Sequence, residues 1–223
     1  MKYGFRFGGL CLLGLLLCGC FPVALHPHYL ERDVVFDPAL VGVWSDKDDD
    51  TTETTTITRD GEDGYLYRWD RSSTEDSPAA TTVCRARLFR LGNHRFLDLA
   101  PIPDPSASAR PQTFPLIEGH IVLRIFKTSS GPEMVPMNLD WLEKYLADRP
   151  GALRHERIRE EYFVRGTKHH RDDLILTGST LQLRGFLRSM GGDPGLFPPP
   201  GAETEPSRPS ADSPERDRPS SGE

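Results

Sequence analysis

Positive charge is in short supply in this chain. Lysine and arginine together number 27, against 33 aspartates and glutamates, and the formal net charge is −6 at neutral pH. Proteins that bind nucleic acids concentrate basic side chains on one face, because phosphates are repelled by an acidic surface. No basic stripe stands out along the sequence, so we expect no nucleic-acid partner.

Motifs of known catalytic chemistry are also missing. The chain has no Gly-x-Ser-x-Gly turn to expose a nucleophile and no glycine-rich loop to cradle a phosphate. Ser179 is better explained as the cap of a helix. His94, His120 and His155 are far apart in the sequence and have no supporting motif. We therefore predict that the protein is not an enzyme and has no cofactor, with a hydrolase as the weakest alternative.

Two groups of potential metal ligands have simpler explanations. The run 168–173 contains two histidines and two aspartates, but adjacent strand residues point to opposite faces, and Lys168 and Arg171 would oppose a cation. The acidic run 46–50 includes Lys47 and lacks the central glycine and distant glutamate of an EF-hand. We interpret the first run as a solvated loop and the second as a charged hairpin loop, and we predict no metal.

The first twenty residues have the order of an export signal. Lys2 and Arg6 give a positive start, and residues 8–17 form an uncharged apolar run. At about 1.5 Å per residue, this run of about ten residues is too short to cross a bilayer core. A positive end, an apolar middle and small residues at the cut are typical of a cleavable signal.

The segment Leu17-Cys18-Gly19-Cys20 resembles the lipobox of bacterial lipoproteins. In that family, a leucine and then a small residue precede the cysteine that receives the lipid, which here is Cys20. Cys18 is the alternative acceptor, but bulky Leu17 would then stand where the small residue belongs. An ordinary secretory signal with incidental cysteines is the other alternative.

The lipobox resemblance implies an anchored protein of the bacterial cell envelope. Residues 1–19 would be removed, and Cys20 would carry a diacylglycerol and an amide-linked acyl chain such as palmitate. Several acyl chains together hold a protein firmly to a membrane, whereas one short chain binds reversibly. Phe21 stands where an aspartate would indicate retention in the inner membrane, so we expect the outer membrane.

Few cysteines remain after this cleavage. Only Cys20, which carries the lipid, and Cys84 are left, so no internal disulfide can form and the domain depends on its hydrophobic core. Cys84 lies in an alternating, strand-like segment, and we predict that it is a small buried apolar residue rather than a reactive thiol.

Composition divides the chain into four parts. They are the signal peptide 1–19, the lipidated cysteine and tether 20–36, a globular β-rich domain 37–190, and an acidic Pro/Ser-rich tail 191–223. The tail holds 8 of the 20 prolines and two large apolar residues, Leu196 and Phe197. Such a segment buries too little apolar surface to offset its chain entropy, so we predict that it is disordered.

The globular domain is predicted to be mainly β with two short helices. About seven short strands at regular spacing favour an antiparallel meander that forms a sandwich or a barrel. Asp140 and Ser179 are candidate caps of the two helices. Residues 173–176 are predicted to form one more strand between them.

Gly42-Val43-Trp44 at the start of the first strand resembles the motif of lipocalins and related calycin barrels. That resemblance implies a barrel whose interior binds small apolar ligands. Tyr65, Tyr67 and Trp69 alternate on one face of a strand and are the predicted ligand-binding residues, with core packing as the alternative. The arrangement is also similar to uncharacterised bacterial lipoproteins, which name no activity.

Two functions therefore stand ahead of the hydrolase. The first is a membrane-anchored lipoprotein that binds a hydrophobic small molecule inside a β-barrel. The second is a structural or assembly factor of the envelope that acts through its surface and its acidic tail.

Overall fold

The computed structural model describes residues 21–47, 51–72, 79–102, 119–129, 131–164 and 167–202. The strands in these ranges are β1 (Val23–Ala24), β2 (Gly42–Lys47), β3 (Thr52–Asp60), β4 (Gly64–Arg71), β5 (Ala80–Leu91), β6 (His94–Pro101), β7 (Ile121–Thr128), β8 (Gly131–Pro136), β9 (His155–Val164) and β10 (Thr167–Leu176). The α-helices are α1 (Leu139–Asp148) and α2 (Thr180–Met190), and two short 3-10 helices span Glu31–Asp33 and Pro38–Leu40. No helix in the described ranges is long and apolar enough to cross a bilayer.

Seven strands form an antiparallel meander in which each strand pairs with the next along the chain, from β2 to β8. This sheet curls into a half-barrel. The turn from β5 to β6 is short: Gly92 and Asn93 alone join the two strands, and Gly92 has a φ of 60°, a left-handed conformation that glycine adopts without strain. The predicted class, mainly β with two helices and an antiparallel meander, is confirmed.

Strand alternation gives the seven-stranded sheet two different faces. One hydrophobic cluster joins side chains from β3 through β8, so this face is the inside of the curl, and we call it the inner face. Its fully buried members include Ile57, Tyr65, Leu88, Leu97 and Leu99. The inner face therefore forms one of the two hydrophobic cores of the domain.

The opposite face of β5, β6 and β7 is covered by the two helices. Phe89, Phe96 and Val122 belong to a second cluster with the buried leucines of α1 and α2. In α2, Ser179 and Gln182 form the predicted capping box. In α1 the cap is Asn138 rather than Asp140, because the Asn138 side chain accepts a hydrogen bond from the backbone N–H of Trp141 at 3.1 Å.

A separate three-stranded sheet has the order β1, β10, β9. The sequence predicts a single strand over residues 173–176, but β10 begins at Thr167 and pairs with β9 along its whole length. The run 168–173 therefore lies within a strand, and its interpretation as a loop is wrong. The pairing of β9 with β10 follows backbone hydrogen bonds, which the charged sequence of this run does not reveal.

Residues 21–41, which we call the N-terminal belt, wrap around the half-barrel. Ala24 forms a bridge with His120 at the start of β7, and Val34 forms a bridge with Phe89 on β5. Phe21 and Leu40, near the two ends of the belt, both lie in the core of the inner face. The sequence predicts a tether over residues 20–36, and the structure packs the described residues 21–36 against the half-barrel. The apolar residues of this segment meet several strands in turn, so their spacing has no regular period.

The packed domain also extends beyond its predicted end at residue 190. Leu196 and Phe197 are fully buried in the second hydrophobic cluster. The backbone N–H of Asn138 donates to the carbonyl of Leu196 at 2.8 Å, which ties this segment to the start of α1. Of the tail that the sequence predicts to be disordered, residues 191–202 are described and are fixed to the domain by these contacts, and residues 203–223 lie outside the described ranges.

Candidate functional site

The structure brings the three predicted ligand-binding residues together on the inner face. Tyr65, Tyr67 and Trp69 alternate along β4 and are at most 2% exposed. All three belong to the same hydrophobic cluster. Their common face is as the sequence predicts, while ligand binding by them stays a prediction.

The hydroxyl group of Tyr65 is bound to the N-terminal belt. It accepts a hydrogen bond from the backbone N–H of Asp37 at 2.7 Å and donates one to the Asp37 carbonyl at 3.1 Å. Phe36 stacks on the Tyr65 ring with centroids 5.1 Å apart. Because a buried polar group without a partner is costly, this pair of bonds indicates that Tyr65 fastens the belt to β4.

Tyr67 and Trp69 are likewise engaged by their own chain. Burial raises the pKa of Tyr67 to about 12, so its hydroxyl stays protonated at physiological pH. The indole Nε1 of Trp69 donates to Oε2 of Glu53, a buried carboxylate on β3, at 3.3 Å. The Arg71 guanidinium lies 5.9 Å from the centre of the Trp69 ring. The three aromatic side chains thus have the contacts of a structural core.

A second polar centre lies on the opposite face of the sheet, at Asp98 of β6. Asp98 Oδ2 lies 2.7 Å from His28 Nδ1 and accepts the His28 backbone N–H at 3.0 Å. Asp98 Oδ1 lies 2.6 Å from Nδ1 of His120. Asp98 is 2% exposed and His28 is 1% exposed. We call these three residues the His–Asp–His cluster.

The histidines determine the charge of this cluster. Burial by itself would raise the pKa of Asp98, but the hydrogen bonds from His120 and His28 and their nearby charge outweigh it and lower the pKa to about 2. The carboxylate is therefore ionised at neutral pH in a site where an unpaired charge would be strongly unfavourable. Its charge also adds to the effect of burial in raising the pKa of Tyr29.

The His–Asp–His cluster connects three parts of the fold. His28 belongs to the N-terminal belt, Asp98 to β6, and His120 to the residue before β7. A carboxylate that orients two imidazoles is an arrangement that can hold and move protons. In the part of the chain that the structure describes, no group of three or more His, Cys, Asp or Glu residues is placed to hold a metal ion.

Sequence reasoning missed this cluster. In the sequence, His120 stands as an isolated histidine, and no motif marks His28 or Asp98. The available signal is Asp98 itself, an acidic residue inside the apolar strand segment Phe96-Leu97-Asp98-Leu99. An acidic residue at a buried strand position requires a partner, and the sequence does not reveal that the partners are 70 and 22 residues away.

The other predicted candidates lie apart from both sites. His94 contacts Arg124 at 3.2 Å, and burial together with that guanidinium lowers its pKa. His155 Nδ1 lies 2.9 Å from the carbonyl of Leu153. Cys84 is fully buried on the inner face, and burial raises the pKa of its thiol to about 12. Cys20 and residues 48–50 lie outside the described residues.

Comparisons with protein-family models, with curated proteins and with solved structures find no match to this chain. The function must therefore be argued from the residues themselves.

Proposed function

We propose that this chain is a lipid-anchored protein of the bacterial envelope that acts through the surface of its folded domain, as a structural or assembly factor. The signal peptide 1–19 exports it, and the lipid on Cys20 attaches it to a membrane. The lipobox-like segment Leu17-Cys18-Gly19-Cys20 supports the anchor. Phe21 after the lipidated residue favours the outer membrane.

The choice of surface contacts over an internal ligand rests on one observation. The side chains that would grip an apolar ligand, Tyr65, Tyr67 and Trp69, are buried against their own chain, and the polar atoms of Tyr65 and Trp69 are bound to Asp37 and Glu53. A ligand would have to displace these contacts before it gained any of its own. Binding by the outer surface has no such cost.

The anchor predicts a defined change in mass and in location. Protein isolated from membranes should have lost residues 1–19 and gained acyl chains, and it should fractionate with the outer membrane. The Cys20→Ser variant should show neither the cleavage nor the lipid, since the acceptor thiol is absent. Intact-mass measurement of both proteins, with Cys84→Ser as the matched control, checks this. A soluble, unlipidated wild type would contradict the anchor.

Binding by the surface predicts a partner at exposed apolar positions. Val43 is 66% exposed on β2 and Leu181 is 64% exposed on α2. Photoreactive residues at these sites should give one adduct of defined mass in intact cells, whereas the same residue at exposed Glu62 should give none. The measurement is the mass of each cross-linked product.

A hydrophobic small molecule bound on the inner face is the second candidate, supported by the continuous aromatic row of β4. This candidate predicts that an apolar molecule co-purifies with the wild-type protein and is absent from the purified Trp69→Ala variant. That result, combined with no adduct at Val43 or Leu181, would overturn the surface proposal in favour of the internal ligand.

A further inference from the structure

The folded domain begins one residue after the cysteine that carries the lipid. Phe21 is 8% exposed and packs in the core of the inner face. Val23 and Ala24 form β1 and pair with Ile175 and Leu176 of β10. Ala24 also exchanges two backbone hydrogen bonds with His120, at 2.9 and 2.8 Å.

The start of the belt is held by contacts that are costly to break. Ala24 is fully buried, and His28 is buried with both its backbone N–H and its ring bound to Asp98. Releasing residues 21–28 as a flexible tether would expose Phe21 and leave the Asp98 carboxylate without one of its two histidines. Such a buried polar group without its partner is strongly unfavourable.

The reach of the anchor follows from this packing. Consecutive Cα atoms are about 3.8 Å apart, so a lipid on Cys20 would be attached only one residue from Phe21, which packs in the core. A flexible tether over residues 20–36, as the sequence predicts, would instead give a root-mean-square reach of about 20–25 Å. With residues 21–36 packed on the domain, no flexible segment is left to separate the domain from a lipid on Cys20.

We infer that the folded domain lies directly on the bilayer that holds its lipid, with the beginning of the N-terminal belt at the membrane surface. This inference rests on the proposed lipid at Cys20. It holds the start of the belt at the membrane, so soluble partners can reach only the surfaces of the domain that face away from the bilayer. The surface around Phe21 and Val23 is then a membrane-facing surface and is closed to soluble partners.

Energy transfer in lipid nanodiscs tests the position of the domain. His26 is exposed near the start of the belt, and His26→Cys provides a labelling site because the Cys84 thiol is buried and the Cys20 thiol carries the lipid. The donor dye on this cysteine transfers energy to an acceptor on the lipid headgroups. In the comparison protein, a Gly/Ser linker of about twenty residues, which adds about 25 Å of reach, is inserted between Cys20 and Phe21. The linker starts with phenylalanine so that the residue after Cys20 is unchanged.

The expected result is high transfer without the linker and a fall of about twofold or more with it, because the linker lets the domain leave the surface. The same linker inserted after Ala202, beyond the buried Phe197, should leave the transfer unchanged. Intact mass is measured on every sample. Lipidated proteins with equal transfer with and without the linker would overturn the docking inference alone. Absence of lipid on the wild type would instead overturn the proposed anchor.

Discussion

Replacing Asp98 with alanine is expected to lower the free energy of unfolding by about 3–5 kcal/mol, the range for breaking a buried ion pair by removing one partner. The substitution removes the carboxylate oxygens that bind three groups: Nδ1 of His28, the backbone N–H of His28, and Nδ1 of His120. Two of these groups belong to the N-terminal belt. The belt should therefore loosen first, ahead of the half-barrel.

Urea unfolding measures the total loss, and amide hydrogen exchange over residues 24–30 measures the loosening of the belt. Asp70→Ala is the matched control, because Asp70 lies on the same sheet in an exposed pair with Arg68, 2.7 Å away, and its replacement should change stability little. Equal effects of the Asp98 and Asp70 substitutions would contradict a structural role for the His–Asp–His cluster.

The same carboxylate should contribute to acid sensitivity. The folded-state pKa of Asp98 is about 2, below its ordinary value of 3.8, so the folded state stabilises the charged form. That contribution, roughly 2 kcal/mol from the difference of about two units, is fully present above pH 3.8 and is lost as the pH falls through 2. The stability difference between wild type and Asp98→Asn should therefore shrink as the pH is lowered from 4 to 2. A difference that stays constant over this range would mean that the Asp98 charge is not what stabilises the fold.

The local features of the fold could be predicted from the sequence. Alternation along β4 placed Tyr65, Tyr67 and Trp69 on one face, and the Ser179–Gln182 pair marked the start of α2. Both depend on neighbours within a few residues, where periodicity and capping carry clear signals. The class of the fold follows from the sum of such local signals.

The features that could not be predicted depend on contacts distant in sequence. The belt has no period of its own, because Phe21 and Leu40 pack on the inner face while His28 between them binds Asp98 on the opposite face. The His–Asp–His cluster joins residues up to 92 positions apart, as the numbers of His28 and His120 show. The composition near both ends favours a flexible chain. A single apolar residue nevertheless holds such a segment in place when the folded domain has an apolar site that buries it.

The C-terminal boundary gives the second large expected effect. Phe197→Ala should destabilise the protein by about 3–5 kcal/mol, because the side chain is fully buried and its removal leaves a cavity. The Phe197 ring contacts Phe96 of β6 with centroids 5.7 Å apart, so the cavity would open between the sheet and the segment after α2. Thermal or urea unfolding measures this loss.

Truncation places the true end of the domain. A chain that stops after Met190 lacks both Leu196 and Phe197, as well as the hydrogen bond from Asn138 to the Leu196 carbonyl, and should be strongly destabilised. A chain that stops after Ala202 keeps all of these contacts and should be as stable as the full protein. Equal stability of the two truncations would contradict the packing of Leu196 and Phe197. The position of this boundary also decides how a role of the tail in partner binding can be tested. Only a deletion that starts at residue 203 removes the tail without removing residues of the core.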